Sequence, residues 1–252
     1  MIKPRKVLKC RPSLIFQDDI IVSNGNKVLA FSPKSKKIKK EIGFLDFSLF
    51  DTLLSKNKYS YRLFRKGIKN LTYFKGGFIG TCDKSIIYKE EKENSFKRVF
   101  DKYNGRSPLN IAVDPINETA YFGEYFSNPD RKGVRIYCSN NGCNWHVAWE
   151  FLPGEIRHVH AVIWDSYRQG LWVLTGDSND ESHIWFTDDK FSTLEKKISE
   201  GQSSRAVELI PEADKLIIPM DTPLEKNFIQ EYDFSNSKLR KVQEIGGSAF
   251  HA

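Results

Sequence analysis

Residues 157–165, with the sequence RHVHAVIWD, carry the chain's densest set of side chains that can do chemistry. His158 and His160 are separated by one residue, so they lie on the same face if the segment is a strand. Two imidazoles on one strand face can chelate a metal ion or act as acid and base. Histidines held by structural hydrogen bonds are the alternative. We include both histidines among the candidate catalytic residues.

Carboxylates follow several apolar runs. Two of them are candidate catalytic residues, Glu124 in FGEYF and Asp177 in LTGDS. A carboxyl group with a raised pKa can be the general acid that cleavage of a glycosidic bond requires. Asp221, in PMDTP, is a candidate ligand-binding residue, and Asp83, in GTCD, follows an earlier run. The alternative is that these carboxylates simply neutralise nearby arginines.

Three arginines recur at comparable positions: Arg106, Arg157 and Arg205 are 51 and 48 residues apart. A guanidinium group binds a carboxylate through two parallel hydrogen bonds and keeps its charge at any physiological pH. We therefore expect these arginines, with Gln202, to bind an acidic ligand. Structural pairing between neighbouring repeats is the alternative.

Metal ligands are not assigned from the sequence. Cys138 and Cys143, in CSNNGCNW, are five residues apart, whereas zinc sites use paired cysteines at closer spacing. We interpret them as turn and strand residues. The loop at residues 175–182, TGDSNDES, offers oxygen ligands without the spacing of a calcium loop, so we expect it to be solvated.

The elements that must position these residues are strands. Apolar runs of four to eight residues, rich in β-branched and aromatic side chains, dominate the chain, and only residues 47–58 show helical spacing. Similar segments begin at Gly154, Gly201 and Gly246, which are 47 and 45 residues apart. Four strands every ~45–50 residues are typical of a β-propeller blade. We predict an all-β chain, a single propeller domain over residues 1–252 with five countable blades; a repeated β-sandwich is the alternative.

The stretch around Cys138 also resembles the Asp-box of sialidase-like (BNR-repeat) propellers. Cys138, Asn140, Gly142 and Trp145 stand where that motif has a small polar residue, Asp or Asn, Gly and Trp. A degenerate copy lies 49 residues later. It keeps Thr187 and Asp189 but has Phe191 and Leu194 in place of the Gly and the Trp.

This resemblance covers about residue 61 to the end of the chain and is closest to uncharacterised prokaryotic members encoded near surface-polysaccharide genes. It implies a propeller and a role with glycans. Sialidases hold a substrate carboxylate with three arginines and use a Tyr nucleophile activated by Glu. Tyr125 beside Glu124 has those residue types, although strand neighbours point to opposite faces. The resemblance also favours a truncated six-bladed form over a five-bladed ring closed by residues 246–252.

Composition limits the partners. A net charge of +7 and a pI near 9.1 are modest for a nucleic-acid binder, so we expect no nucleic-acid partner. Uninterrupted apolar runs do not approach the ~18 residues of a membrane span. The first residues lack the apolar block of a signal peptide, which predicts a cytoplasmic protein with reduced thiols. The sequence does not indicate an oligomeric state.

Together these features predict a glycan-directed protein that binds or hydrolyses an acidic saccharide or nucleotide sugar in prokaryotic polysaccharide metabolism, without a cofactor. Whether it is an enzyme stays open; if it is one, glycoside hydrolysis is expected. The second hypothesis is a non-catalytic propeller scaffold for protein–protein interaction. The third is metal-dependent lyase or hydrolase chemistry at His158 and His160, with Asp177 or His183 as a third ligand.

Overall fold

The computed structural model describes residues 10–56, 67–105, 107–223 and 225–249. Within these ranges the chain forms twenty strands, one α-helix and a short 3-10 helix. The strands of the first half are β1 (Arg11–Phe16), β2 (Asp19–Asn24), β3 (Lys27–Ser32), β4 (Lys37–Leu45), β5 (Ile68–Phe74), β6 (Gly77–Cys82), β7 (Ser85–Glu90), β8 (Ser95–Phe100), β9 (Ala112–Asp114) and β10 (Thr119–Gly123). The remaining elements are β11 (Val134–Ser139), β12 (His146–Phe151), β13 (Val159–Asp165), β14 (Gly170–Thr175), β15 (His183–Thr187), β16 (Glu195–Ile198), β17 (Ile210–Pro211), β18 (Lys215–Pro219), β19 (Asn227–Asp233), β20 (Lys238–Ile245), α1 (Leu49–Lys56) and the 3-10 helix Gly201–Ser204.

The described residues divide into two compact units. The first contains the described residues up to Lys102 together with Gly142–Asn144; the second contains Tyr103–Asn141 and the described residues from Trp145 onward. In the first unit, β1–β4 and β5–β8 form two antiparallel meanders, which a parallel pairing of β4 with β8 joins into one eight-stranded sheet. The second unit has three antiparallel four-stranded meanders, β9–β12, β13–β16 and β17–β20. The four-strand repeat is thus confirmed, and the single domain over residues 1–252 stays a prediction.

The core of the second unit lies between successive meanders. Val162 and Val173 belong to a cluster shared by β9–β12 and β13–β16, and Trp172 and Leu216 belong to one shared by β13–β16 and β17–β20. Strand β14 is buried along all six residues. Because both of its faces pack against apolar neighbours, its sequence, GLWVLT, is a continuous apolar run rather than an alternating one. This packing fixes the end of β14, where the polar residues begin.

An aspartate fixes the turn of the β13–β14 hairpin in the second unit. The Asp165 carboxylate accepts hydrogen bonds from the backbone N–H groups of Tyr167 and Arg168, at 2.9 and 3.1 Å, and from the indole N–H of Trp172 at 2.8 Å. An Asp side chain that caps its own turn in this way sets the register of the hairpin. The β13–β14 hairpin therefore has a defined register, which determines the neighbours of His160.

Helix α1 lies within the predicted residues 47–58, although residues 57 and 58 are outside the described part. All four cysteines are free thiols. In the degenerate Asp-box copy, Phe191 has φ +68°, similar to the +76° of Gly142 at the matching position. The left-handed turn is thus kept without glycine, because the buried ring of Phe191 packs on Tyr121.

The end of the chain is described as far as Ala249. Its backbone N–H donates to the carbonyl oxygen of Met220 at 3.0 Å. Residues 250–252 lie outside the described part, so a closing strand over residues 246–252 stays a prediction. Of the helices within the described ranges, none has the length and apolar character needed to cross a bilayer.

Candidate functional site

Five polar residues of the second unit converge on a sixth, Asp177. We call this group the Asp177 cluster; its members are Arg157, His158, His160, Asp177, Gln202 and Arg205. Asp177 follows β14 after Gly176, which has φ +101°. A Cβ at position 176 would lie 2.2 Å from the carbonyl oxygen of Glu181, so only glycine fits this turn. The turn aims Asp177 at the segment that contains the two histidines.

The two imidazoles face each other and Asp177. Nε2 of His158 and Nε2 of His160 are 3.0 Å apart, and they lie 3.5 and 3.4 Å from the carboxylate oxygens of Asp177. Nδ1 of each ring lies 2.9 Å from a backbone carbonyl oxygen, that of Phe126 for His158 and that of Ala206 for His160. A carbonyl can only accept, so each Nδ1 carries the hydrogen and each neutral ring turns its Nε2 lone pair toward the carboxylate.

Two guanidinium groups also contact Asp177. Arg205 places Nη2 2.9 Å from one carboxylate oxygen and donates from Nη1 to the backbone carbonyl of Asp177 at 3.0 Å. Gln202 donates to the same carbonyl at 3.0 Å. Arg157 reaches the other carboxylate oxygen at 3.3 Å through Nη1. Arg157 lies before β13, so strand alternation does not apply to it and its long side chain joins the histidines at Asp177.

The charge state of Asp177 follows from these contacts. Burial acts to raise the pKa of its carboxyl group, but the hydrogen bonds and positive charge that His158 and His160 supply when protonated outweigh burial and hold that pKa well below its usual range. Asp177 is therefore ionised at neutral pH. A carboxylate in this state accepts protons or binds cations, whereas a general acid must carry a proton to donate.

Gln202 is oriented by the third meander. Its side-chain oxygen accepts a hydrogen bond from Thr222 Oγ1 at 2.8 Å, which leaves its NH₂ group to donate to Asp177. Asp221 donates its backbone N–H to the Arg205 carbonyl at 3.0 Å, and its carboxylate is 3.9 Å from Arg205 Nη2. Asp221 thus borders the cluster: it contacts Arg205, which is itself paired with Asp177.

Glu124 lies apart from these groups. Its side chain is fully buried, with one oxygen 2.7 Å from the backbone nitrogen of Asn104 and the other 3.0 Å from that of Arg135. Both oxygens therefore accept from the main chain. The next residue, Tyr125, faces the other way and packs its ring 4.4 Å, centroid to centroid, from the His158 imidazole. The side chains of Glu124 and Tyr125 thus contact different parts of the protein, as expected for strand neighbours.

Two other predicted residues are not part of the described cluster. Arg106 lies outside the described residues, so its predicted role in ligand binding stays a prediction. Asp83 belongs to the first unit, where it occupies the turn between β6 and β7 with φ +54° and pairs with Arg98 at 3.5 Å.

An open groove of about 620 Å³ borders the cluster at Gln202. Its lining includes Asn179, Asp180, His183, Lys196, Ser199 and Glu200. The expectation that residues 175–182 form a solvated loop is wrong for Thr175, which ends β14, and for Glu181 and Ser182; all three are buried. Arg131 is ion-paired with Glu181, and the Ser182 hydroxyl donates to the Ser178 carbonyl. The loop is thus tied down and forms a fixed wall for the groove.

His183 belongs to this groove rather than to the Asp177 cluster. Its Nδ1 is 3.0 Å from Ser199 Oγ, and its Nε2 is 3.2 Å from Lys196 Nζ. Burial and the neighbouring ammonium group of Lys196 lower the pKa of its imidazole. An ammonium group only donates, so Nε2 accepts and Nδ1 carries the hydrogen toward Ser199. The ring therefore cannot act as a base for the serine hydroxyl in this arrangement.

Sequence reasoning missed several contributors to the site. The carbonyl oxygens of Phe126 and Ala206 fix the histidine tautomers, and Thr222 orients Gln202. Backbone carbonyls have no signature in a sequence, because every residue has one. The groove residues Lys196 and Ser199 carried no recognisable spacing either.

No family model matches the chain, and a search of curated proteins finds no match. Solved structures do match. The chain resembles one from the crystal structure of the mitotic checkpoint complex (TM-score 0.61, 12% identity), covering 92% of this chain and 64% of that one. It also resembles the extracellular domain of a putative one component system from B. thetaiotaomicron (TM-score 0.63, 9% identity, covering 95% and 29%). A third match is a putative TolB from Agrobacterium tumefaciens (TM-score 0.60, 10% identity, covering 95% and 82%).

The fold is a β-propeller. This confirms the predicted fold class. At 9–12% identity the likeness extends to the fold alone, and the chain spans less than two thirds of the first two matched chains. The sialidase resemblance has no counterpart among these three structures.

Proposed function

We propose that this β-propeller is a cytoplasmic, glycan-directed binding protein that takes an acidic saccharide or nucleotide sugar at the Asp177 cluster and the adjoining groove. The observation that carries the proposal concerns two arginines. Among the described residues, the buried Nε–H groups of Arg157 and Arg205 have no hydrogen-bond partner. Two buried cationic donors without acceptors favour an anionic ligand, because a buried donor left unsatisfied costs about 1–3 kcal/mol.

Arg157 is the more available of the two arginines. Its side chain is 32% exposed and meets Asp177 only at 3.3 Å, whereas that of Arg205 is 14% exposed and bonded to both the side chain and the backbone of Asp177. A ligand carboxylate or phosphate can therefore engage Arg157 without displacing Asp177. The groove supplies hydroxyl, amide and ammonium groups suited to a polar sugar. The resemblance of residues 138–145 to an Asp-box agrees with a glycan ligand.

The proposal is binding rather than cleavage. Glycosidic cleavage needs a protonated carboxyl group near the leaving oxygen. Glu124 is fully buried with both oxygens accepting from backbone N–H groups, and the pKa of Asp177 is held low. Neither has the properties of a general acid, so we expect saccharide binding without turnover.

Thermal shift against a panel of neutral, carboxylated and nucleotide-linked sugars tests this proposal. The expected result is a rise in melting temperature with acidic members only, which is lost in Arg157→Ala. Arg135→Ala is the matched control, because this arginine belongs to the same unit but pairs with Glu150 on an exposed surface. A protein that melts cooperatively but shifts with no sugar would contradict the proposal and favour the scaffold hypothesis. Release of free sugar would refute the expectation of binding without turnover.

A further inference from the structure

When neither imidazole carries a second proton, the atoms at the centre of the Asp177 cluster are all acceptors. Nε2 of His158, Nε2 of His160 and the carboxylate of Asp177 meet at separations of 3.0 to 3.5 Å. The Nδ1 contacts with backbone carbonyls give both neutral rings the tautomer whose Nε2 has a lone pair. Three lone-pair donors facing one another repel unless a cation lies between them. We propose that His158, His160 and Asp177 bind a divalent transition-metal ion.

The distances suit such an ion. Metal–nitrogen bonds of about 2.0–2.1 Å in tetrahedral geometry place ligand atoms about 3.3–3.4 Å apart. The two Nε2 atoms are 3.0 Å apart, and each lies 3.4 or 3.5 Å from a different oxygen of Asp177, so all three distances are near that value. The two histidines are 4% and 2% exposed. One ligand atom from each residue lies within 4.8 Å of the others. Among the described residues this is the one group of three or more His, Cys, Asp or Glu side chains that meets so closely. The site is thus preformed.

The surroundings match those of metal-binding imidazoles. Such histidines characteristically donate their second ring N–H to a carbonyl or carboxylate, which fixes the ring and increases its basicity. Phe126 and Ala206 provide these carbonyls from two different meanders. The ligating carboxylate is in turn held by Arg205, and its backbone by Gln202. Tyr125 packs 4.4 Å from the ring of His158, centroid to centroid.

The donor set selects the metal class. Two imidazole nitrogens and one carboxylate suit Zn²⁺, Fe²⁺, Co²⁺ or Mn²⁺, whereas Ca²⁺ and Mg²⁺ prefer oxygen ligands throughout. Access is available from the side of Asp177, whose side chain is 24% exposed. Arg157 and Arg205 oppose a bare cation, so we expect the ion to carry an anionic or water oxygen in its remaining position. That position can accept an oxygen of the saccharide, but metal binding does not depend on the saccharide proposal.

Metal binding by the full chain is tested after chelator treatment, with Zn²⁺ and Co²⁺ as probes, by titration calorimetry and by the visible absorption of bound Co²⁺. We expect one ion per chain, with Mg²⁺ and Ca²⁺ failing to compete. His160→Gln and Asp177→Asn should each weaken Zn²⁺ binding more than ~100-fold, because changes in second-sphere partners alone cost about 10–100-fold. Asp177→Asn is expected to fold, since Asp177 is partly exposed.

Control variants distinguish this site from other places that attract zinc. His183→Gln removes a histidine outside the cluster, and His146→Gln removes the imidazole that lies 3.0 Å from Cys138 Sγ. Both should bind Zn²⁺ like the parent protein. Zinc binding that disappears in His146→Gln and survives in His160→Gln would overturn the proposal, and so would a folded parent protein that binds neither probe. Repeating the saccharide panel with metal-free and metal-loaded protein separates the two proposals. A protein that binds metal but no saccharide would refute the saccharide proposal and leave the metal proposal standing.

Discussion

Glu124 and Asp177 both follow the second strand of a meander, β10 and β14, and both belong to short polar segments after buried apolar runs. Their carboxylates nevertheless have different environments. Glu124 is fully buried and accepts from two backbone N–H groups, whereas Asp177 is 24% exposed on its side chain and faces two imidazoles and two guanidinium groups. Backbone amides are fixed by the fold and cannot exchange partners. Side chains at a partly exposed site can exchange their partners for a ligand.

The comparison separates a structural carboxylate from a candidate functional one. Glu124 ties the end of β10 to the segment at Asn104 and to β11 at Arg135, so its charge stabilises the architecture. The carboxylate of Asp177 instead contacts the side chains of two histidines and two arginines. The partners of a carboxylate, rather than its place after a strand, therefore decide its role.

The largest effect is expected for Glu124→Ala. The substitution removes the fully buried acceptor of two backbone N–H groups, so the free energy of unfolding should fall by roughly 2–4 kcal/mol. Urea denaturation of the metal-free protein measures the change. Glu150→Ala, which removes a half-exposed carboxylate from β12, is the control and should lower stability by less than about 1 kcal/mol. A loss no larger than that of the control would remove the distinction between the two carboxylates.

Asp177→Asn should have a smaller effect on stability. Asn keeps a carbonyl oxygen for Arg205 and the site is partly exposed, so a loss of about 1 kcal/mol is expected in the metal-free protein. The same urea experiment measures it. A loss as large as that of Glu124→Ala would mean that Asp177 is also mainly structural.

Glu208 provides a third environment, half-buried with no cation contributing to its ionisation. Burial raises the pKa of its carboxyl group, and a hydrogen bond from the backbone of Leu209 only partly opposes this. Because the folded pKa exceeds the unfolded one, ionisation at neutral pH destabilises the folded state, and this effect vanishes below the unfolded pKa. Glu208→Gln should therefore raise the melting temperature at pH 7 and leave it unchanged near pH 3.5. An equal change at both pH values would exclude ionisation as the cause.

The smallest effect is expected for Arg135→Ala. Only the backbone N–H of Arg135 serves Glu124, whereas its side chain is 43% exposed and pairs with Glu150. Stability should change by less than about 1 kcal/mol by urea denaturation. A drop approaching that of Glu124→Ala would show that the guanidinium group, rather than the amide, stabilises the buried carboxylate.

The fold was predictable because its signal is local and repeated. The apolar runs, their turn residues and the spacing of Gly154, Gly201 and Gly246 predicted four-stranded repeats, and the described residues form five four-stranded meanders. The site was predictable in part. His158, His160 and Asp177 do converge, and Asp177 rather than His183 is the third group. Both oxygens of Glu124 accept from backbone N–H groups, which disfavours the acid role considered for it and which no local pattern indicated.

By itself, the sequence determined the strands, their repeat and the residue types after β14, because side-chain periodicity and turn chemistry act over a few neighbours. Tertiary structure alone decided which polar groups meet. It placed the carbonyls of Phe126 and Ala206, 32 and 46 residues away from their histidines along the chain, against the two Nδ1 atoms and so fixed both tautomers. Those contacts depend on packing between meanders, where a carbonyl's position is set by the backbone and leaves no trace in the amino-acid letters.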